Sequence, residues 1–214
     1  MFTGIVSSIG VITHVEPQSQ GGEQSGVRVR IQTRDFPLQN AKLGDSIAVQ
    51  GACMTAVELG PDYFVIDVSR ESLNRTVGLD APGEVNLEHS LRLGDSLDGH
   101  LVSGHVDGVG QVVHFAPAGE SWDLRIDAPL ALAPYLAYKG SVAVNGVSLT
   151  VNRVEDHAQG CVFRINLIPH TVQVTTLKHL KEGGRVNLEI DMIARYVDRM
   201  AKFRRQSAGE GGIW

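Results

Sequence analysis

Apolar and polar residues alternate with a period of two along most of this chain. The run VRVRIQT at 27–33 shows this alternation, and the runs YFVIDVS at 63–69 and RVNLEID at 185–191 are rich in β-branched residues. A half-buried strand produces the pattern because successive side chains point to opposite faces of a sheet. About six such runs fall in each half of the chain. The pattern predicts an all-β protein built from small antiparallel barrels, since closing a sheet leaves no exposed edge.

One stretch near the end follows a different period. Ile193, Tyr196, Val197 and Met200 lie at positions i, i+3, i+4 and i+7, which is one stripe of an amphipathic helix. The run PLALAPYLAY at 129–138 predicts a short helical turn between strands. The alternation therefore predicts strands throughout and one appended helix.

Three segments recur in the same order about 100 residues apart. They are SIAVQGACMT and SVAVNGVSLT, starting at 46 and 141, TGIVSSIG and SGHVDGVG, starting at 3 and 103, and GEVNLE and GRVNLE, starting at 83 and 184. Three ordered matches indicate a tandem duplication. The period is too long for a solenoid, whose units have ~20–50 residues, so each copy is predicted to be a domain with its own core.

The duplication sets the predicted boundaries. An N-terminal barrel is expected at 1–96, a C-terminal barrel at 97–190, the helix at 191–205 and a frayed tail at 206–214. Each barrel is expected to have six antiparallel strands. The helix has no counterpart in the first copy, so its apolar stripe either caps a barrel or meets copies of itself. Asn145-Gly146 is a hairpin-turn dipeptide, whereas its counterpart Gln50-Gly51 is a poorer turn former.

Composition narrows the function classes. The formal net charge of −5 leaves no basic field for nucleic acid or anionic lipid. No apolar run approaches the ~18 residues that a membrane span needs. The first residues, MFTGIV, lack the cationic and apolar regions of a signal peptide. Two cysteines do not suggest a disulfide framework. A cytoplasmic setting is the expectation.

Paired small polar residues recur in the duplicated segment. Cys53 and Thr55 in the first copy correspond to Ser148 and Thr150 in the second. Residues i and i+2 of a strand share a face, so each copy presents one such pair. These could be small core residues with local hydrogen bonds, but their presence in both copies favours a pair of ligand sites.

Histidine and aspartate offer further candidates. His100 and His105 are five residues apart, which does not match zinc-binding spacing. His105 stands where the first copy has Ile5. A Cys53–His105 nucleophilic pair is conceivable, although no hydrolase signature surrounds it. Asp191 precedes the predicted helix, where an N-cap is expected on structural grounds.

Four segments, MFTGIV, GHLVSGHVDGVG, NGVSLTV and VNLEID, together resemble the riboflavin synthase family of the alpha-chain type, over roughly residues 1 to 205. The resemblance implies two Greek-key-like barrels that bind two molecules of 6,7-dimethyl-8-ribityllumazine. It implies transfer of a four-carbon unit between them, giving riboflavin and a ribitylamino-pyrimidinedione. It further implies a homotrimer held by C-terminal helices, a site between the N-terminal barrel of one subunit and the C-terminal barrel of another, and no cofactor or metal.

The resemblance also implies site residues, grouped by copy. The first pocket would use Gly4, Ile5, Val6, Ser46, Cys53, Met54, Thr55, Ser69, Arg70, Glu71 and Ser72. The second would use Gly104, His105, Val106, Lys139, Ser148, Leu149, Thr150, Leu167, Ile168, Pro169, His170 and Thr171. Phe2 and Asp191 also match family positions. The chain departs from the usual family pattern at Gln50, Met54, Ala56 and His170.

Catalytic roles follow as hypotheses. His105, assisted by Ser148 and Thr150, is the candidate base that removes a ring-methyl proton. Ser46 and Cys53 would activate a water or add as a transient nucleophile, and Asp191 would relay a proton between subunits. Two rivals are a non-catalytic lumazine-binding antenna on the same barrels and a flavin-binding oxidoreductase barrel, which would need a nucleotide domain.

Overall fold

The computed structural model describes residues 1–18 and 25–209, and it is mostly β, as the alternation predicts. The first copy contains β1 (Ser8–Pro17), β2 (Val27–Gln32), β3 (Ser46–Val49), β4 (Ala52–Leu59), β5 (Tyr63–Val68) and β6 (Gly83–His89). The second contains β7 (Gly108–Ala118), β8 (Ser121–Pro129), β9 (Ser141–Val144), β10 (Val147–Thr150), β11 (Arg153–His157), β12 (Gly160–Leu167) and β13 (Arg185–Ile190). The α-helices are α1 (Arg70–Arg75), α2 (Pro169–Val174) and α3 (Met192–Gly209), and short 3-10 turns lie at Leu38–Asn40, Ala133–Tyr135 and Thr176–His179.

The first copy closes into the predicted six-stranded antiparallel barrel. Its strand order is β1-β2-β5-β4-β3-β6, and β1 completes the ring by pairing with both β2 and β6. Ile12, Val29, Ile47, Phe64 and Leu87 point inward and are fully buried. The apolar half of the alternation therefore fills the barrel, which is why the period-two pattern identified these strands.

The second copy forms a curled antiparallel sheet with seven strands instead of six. Its order is β10-β9-β13-β7-β8-β12-β11. The extra strand arises because the counterpart of β4 is divided into β10 and β11. Between them, Val151 N donates to Gly140 O at 2.9 Å and Asn152 N donates to Arg164 O at 2.7 Å. In β4 the same place carries a bulge between Ala56 and Glu58, so the chain irregularity is shared and only its extent differs.

Both β3–β4 and β9–β10 are hairpins with two-residue turns. Gln50 and Gly51 have φ of 51° and 87°, and Asn145 and Gly146 have φ of 49° and 80°. Positive φ at both central residues is what a type I′ turn requires. The turn predicted at Asn145-Gly146 is confirmed, and the poorer turn former Gln50 adopts the same conformation.

The C-terminal helix is longer than the sequence predicted. α3 runs from Met192 to Gly209, past the expected end at 205, and residues 210–214 of the predicted tail lie outside the described residues. Ile193, Tyr196, Val197 and Met200 are each 58–65% exposed. The apolar stripe therefore faces away from its own barrels.

Candidate functional site

The two copies meet through residues near their beginnings. Phe2 and Val102 form an antiparallel bridge, in which Phe2 N donates to Val102 O at 2.7 Å and Val102 N donates to Phe2 O at 3.1 Å. Both side chains are buried with Ala48 and Ala143 in a small core between the copies, and the partly buried Cys53 packs against it. Phe2 and Val102 are equivalent positions, as are Ala48 and Ala143, so the contact has pseudo-twofold symmetry.

A buried amide network joins the same two faces. Asn86 Nδ2 donates to Asn145 O at 2.9 Å, and Asn187 Nδ2 donates to Gln50 O at 3.0 Å. Within each copy, Gln50 Oε1 accepts from Asn86 N at 2.9 Å and Asn145 Oδ1 accepts from Asn187 N at 2.8 Å. Each hairpin turn is thereby bonded to the last strand of both copies. The Gln50 side chain accepts from Asn86 N just as the Asn145 side chain accepts from the equivalent Asn187 N. This explains why glutamine is tolerated where the family usually has asparagine.

A carboxylate fixes the entry segment of each copy. Glu88 accepts hydrogen bonds from the amides of Thr3–Gly4 at 2.6 and 3.0 Å. Glu189 accepts from the amides of Ser103–Gly104 at 2.6 and 2.9 Å. Burial raises the pKa of Glu88, and the bonds from Thr3 and Gly4 offset part of that rise. These bonds give a structural reason for the repeated VNLE and Thr/Ser-Gly segments.

The entry segment of the second copy packs on the first barrel. Cys53 N donates to Gly104 O at 2.8 Å, and Val106 packs against the core of the first barrel. Gly104 has φ of 78°, and a Cβ there would lie 2.6 Å from Cys53 Cβ. Only glycine tolerates this conformation and this approach at little cost.

The reciprocal contact brings the first entry segment to the second barrel. Ser148 N donates to Gly4 O at 2.8 Å, and Val6 packs against the core of the second barrel. Residues that the resemblance groups by copy thus lie in part beside the opposite copy, and which of them share one ligand stays a prediction. Each candidate site combines one barrel with the entry segment of the other, because the two segments cross at the Phe2–Val102 bridge.

The first composite site is a cavity of about 160 Å³, called here the Cys53 cavity. It is lined by Ala52, Cys53, Met54, Glu71, Ser72, Arg75, Thr76, Gly104, His105 and Val106. Ser69 caps α1 at its edge, where Ser72 N donates to Ser69 Oγ at 3.1 Å. The crossing thus brings the thiol of Cys53 and the imidazole of His105, the two groups that most distinguish the copies, into one cavity.

The second composite site centres on Ser148 and is called here the Ser148 cluster, formed by Ser148, His100 and Gly4. His100 Nδ1 lies 2.7 Å from Ser148 Oγ. His100 is 8% exposed, and its Nε2 has no hydrogen-bond partner among the described residues. Burial lowers the pKa of His100, while the carboxylates of Asp191 and Glu189 raise it in part. The buried ring therefore favours its neutral form.

Within one chain Ser148 therefore lies beside His100, whereas His105 lies beside Cys53, and the expected catalytic partnership of His105 with Ser148 stays a prediction. Sequence reasoning missed His100 because Ser148 lies 48 residues away, and no local motif links the two. Thr150, the other expected helper, is exposed at the end of β10 and pairs with Ser141.

Comparison with known proteins supports a duplicated small-molecule site. The lumazine binding domain family matches residues 3–90 and again residues 103–191. The chain is 40% identical over 212 residues to a riboflavin synthase of Brucella abortus (strain 2308), covering 96% of this chain and 100% of that one. It is 42% identical over 208 residues to a riboflavin synthase of Mycobacterium bovis (strain ATCC BAA-935 / AF2122/97), covering 94% and 98%.

The chain belongs to the riboflavin synthase family.

Solved structures of LumP have the same architecture. The structure of LumP complexed with riboflavin matches with a TM-score of 0.74 and 26% identity, over 89% of this chain and 99% of that chain. LumP complexed with 6,7-dimethyl-8-(1'-D-ribityl) lumazine matches with a TM-score of 0.73 and 25% identity, over 88% and 98%. Both copies of this riboflavin synthase family member therefore have the architecture of known lumazine and flavin binders.

Some of the residues implied by the family resemblance have side chains that pack in a core. Phe2 is fully buried between the copies. Met54 packs in the first core, and Leu149 and Leu167 pack in the second. Because these side chains are buried, a ligand would contact the backbone of these residues.

The remaining implied residues lie mostly at the surface. Ser46 pairs with Thr55 and lines a separate polar pocket of about 580 Å³ together with Lys42 and His89. Lys139 is exposed, with φ of 64°. Six others are also exposed at the surface, namely Ile5, Ser69, Arg70, Ile168, Pro169 and His170, whereas Ser72 and Thr171 are half-buried.

Asp191 occupies the N-cap position of α3, where its Oδ1 accepts a hydrogen bond from Ile193 N at 2.9 Å. The charge of Asp191 also raises the pKa of His100 in part. Asp191 therefore both caps α3 and acts electrostatically on the Ser148 cluster. Within residues 1–18 and 25–209, no group of three or more His, Cys, Asp or Glu side chains is placed to hold a metal ion. No helix in the described part of the chain is long and apolar enough to cross a membrane.

Proposed function

We propose that this protein is a transferase that dismutates two molecules of 6,7-dimethyl-8-ribityllumazine into riboflavin and 5-amino-6-ribitylamino-pyrimidinedione. Two identical substrates need two similar sites, and the crossed pair of composite sites offers them. The two products together contain all atoms of the two substrates, so the reaction needs no external oxidant, and we propose that no cofactor takes part. The observation that carries the proposal is the duplicated site in a chain of this family.

Most of the rate enhancement is proposed to come from holding two flat rings face to face. Effective molarities for well-oriented reactants reach on the order of 10⁵ M or more. The ring-methyl anion is delocalised into an electron-poor heterocycle, so a weak base is sufficient. His105 is exposed beside Cys53 and can serve as that base for a ring bound in the Cys53 cavity. Cys53 would then add to the other ring or activate water.

The Ser148 cluster is proposed to bind the second ring. Neutral His100 fixes the Ser148 hydroxyl through the 2.7 Å contact, so Ser148 keeps one orientation toward the ligand. Thr150, Ser46 and Asp191 are proposed to act at the margins, where a ring from a neighbouring subunit would enter. The binding surfaces would be completed by Gly4–Val6 and Gly104–Val106, by Ser69–Ser72 and Leu167–Thr171, and by Met54, Thr55, Lys139 and Leu149 through their backbone or exposed atoms.

We propose a homotrimer in which α3 forms the contact between subunits. The apolar stripe Ile193, Tyr196, Val197 and Met200 is exposed in the single chain. Such a face is stabilised by packing against equivalent helices. The active site would then lie between the N-terminal barrel of one subunit and the C-terminal barrel of another. We also propose the division predicted from the duplication, with boundaries at 96–97 and 190–191. Free Cys53 and Cys161 fit a reducing cytoplasm.

The competing function is lumazine binding without turnover, which the likeness to LumP keeps open for this architecture. The test is to mix purified protein with the lumazine alone and follow riboflavin absorbance. We expect one riboflavin for every two lumazines consumed, with no added cofactor. Tight lumazine binding with no riboflavin formed would establish the binding-only function instead, and a one-to-one conversion would exclude the dismutation.

A further inference from the structure

The segment that carries His105 is fastened to β13 and to α3 by one carboxylate. Asp107 Oδ2 accepts a hydrogen bond from Ile190 N at 2.9 Å, and Asp107 Oδ1 accepts one from Arg195 Nη2 at 2.7 Å. Asp107 N also donates to Leu188 O at 2.8 Å. The Asp107 side chain is 13% exposed and the Arg195 side chain is 48% exposed, so this charge-assisted bond is shielded from water on the Asp107 side.

The first copy keeps the backbone contact and lacks the carboxylate. Ser7 is the counterpart of Asp107, and Ser7 N donates to Leu87 O at 2.9 Å. The Ser7 side chain is exposed and makes neither of the two carboxylate bonds in the part of the chain that the structure describes. The Asp107 link therefore occurs in the copy that has both His105 and α3.

The segment that Asp107 holds also contacts Cys53. Gly104 and Asp107 bracket His105, and both are bound to the end of β13, at Glu189 and Ile190. Gly104 O in turn accepts from Cys53 N at 2.8 Å. Arg195 of α3 thus contacts Asp107, and His105, two residues before Asp107, lines the Cys53 cavity.

We propose that Asp107 is a positioning residue that transmits the placement of α3 to His105 in the Cys53 cavity. This inference rests on the proposed function, in which α3 packs against neighbouring subunits. Association of the helices then fixes Arg195, and through Asp107 it fixes the imidazole. Assembly and catalysis are coupled by a single ion pair.

The first test reads the position of the segment without any turnover. Cys161 is fully buried, and burial raises its pKa to about 11, so a disulfide reagent at neutral pH reports on Cys53. Asp107→Ser installs the residue that the first copy has at this place. We expect it to raise the rate of Cys53 modification at least about threefold, because local opening uncovers the thiol. Tyr135→Phe is the matched control, since it removes another α3 tether, the bond from Tyr135 Oη to Asp198 Oδ2 at 2.9 Å, without touching the His105 segment.

The second test separates turnover from affinity. Asp107→Ser and Arg195→Met should each lower kcat about tenfold while the lumazine Kd stays within about threefold, because small misplacements of a catalytic group cost rate. The double variant should be no worse than Asp107→Ser alone, since Arg195→Met removes only a bond that Asp107→Ser also removes. Tyr135→Phe should keep both the rate of Cys53 modification and the kcat of the parent, provided that the variant and the parent have the same oligomeric state.

The outcomes are distinct. Unchanged thiol reactivity and unchanged kcat in folded Asp107→Ser would overturn the inference, as would equal losses of kcat and affinity with an unchanged thiol rate. An equal effect of Tyr135→Phe on the thiol rate would also overturn it, because this variant leaves the Arg195–Asp107 pair intact and the effect of α3 would then not pass through that pair. If the parent protein makes no riboflavin, the proposed function fails, whereas the thiol rates still test whether Asp107 holds the segment.

Discussion

Cys53 N donates a hydrogen bond to Gly104 O at 2.8 Å across the boundary between the two copies. This bond seats the second entry segment on the first barrel and places His105 beside the only half-exposed thiol of the chain. The reciprocal bond from Ser148 to Gly4 leaves the other site with a hydroxyl and with Ile5. The two proposed substrate molecules would therefore meet sites of unequal chemistry, as donor and acceptor roles require.

Cys53→Ser makes the first site resemble the second and should lower turnover at least about tenfold, or ~1.4 kcal/mol of barrier. His105→Ala should have a similar effect, because it removes the proposed base from the same cavity. Lumazine affinity should stay within a few fold for both. Turnover, affinity and melting temperature together make the measurement.

The control for these variants is Cys161→Ala, which lies in the second core and should cost stability and leave turnover intact. Normal turnover in correctly folded Cys53→Ser and His105→Ala proteins would remove unequal chemistry and leave orientation as the source of catalysis.

Acid should weaken the fold in part through His100. Burial lowers its pKa in the folded state, so as pH falls through about 6.5 the unfolded chain binds the proton first. The stability that depends on neutral His100 is therefore present above that pH and is lost below it. His100→Gln should reduce the loss of unfolding free energy between about pH 7.5 and about pH 5.5, as measured by urea titration.

The comparison variant is His105→Ala. The His105 side chain is exposed, so its removal should not reduce the loss of stability that His100 causes. His89, whose pKa burial also lowers, retains its own share in both proteins. An identical pH dependence in His100→Gln and the parent would contradict the assignment.

Asn187→Ala should destabilise the whole chain, because one amide serves both copies. Its Nδ2 bonds Gln50 O and Val77 O, and its Oδ1 accepts from Val77 N at 2.8 Å. Leaving buried backbone groups without partners costs about 1–3 kcal/mol. Denaturant unfolding should show this loss, whereas Asn166→Ala, at an exposed position, should change stability by less than about 0.5 kcal/mol.

Val197→Asp should dissociate the proposed trimer by placing a charge in the centre of the α3 stripe. Light scattering should report monomers, and turnover should fall because the proposed site spans two subunits. Arg199→Asp changes the charge on the same helix outside the stripe and should keep the trimer. A full trimer for Val197→Asp would contradict the role assigned to α3.

Local sequence determined much of this protein. The alternation fixed which residues face each core, because a strand with one buried side permits only one phase of apolar positions. The helical stripe at 193–200 fixed α3 for the same kind of reason, and the ordered repeats fixed the duplication. The turn at Asn145-Gly146 followed from residues that accept positive φ, and Gln50 adopted that conformation because its side chain reaches Asn86 as its counterpart reaches Asn187.

The tertiary structure alone decided how the copies share their sites. Duplication makes Gly4 and Gly104 equivalent, as it does Cys53 and Ser148, so the sequence cannot state whether an entry segment packs on its own barrel or on the other. In either arrangement the carbonyl of Gly4 or Gly104 would accept a hydrogen bond from the backbone amide of Cys53 or Ser148. The choice follows from the close contact of two folded surfaces at Phe2 and Val102, and the meeting of His100 with Ser148 follows from it as well. These are long-range packing relations, which no local period or spacing encodes.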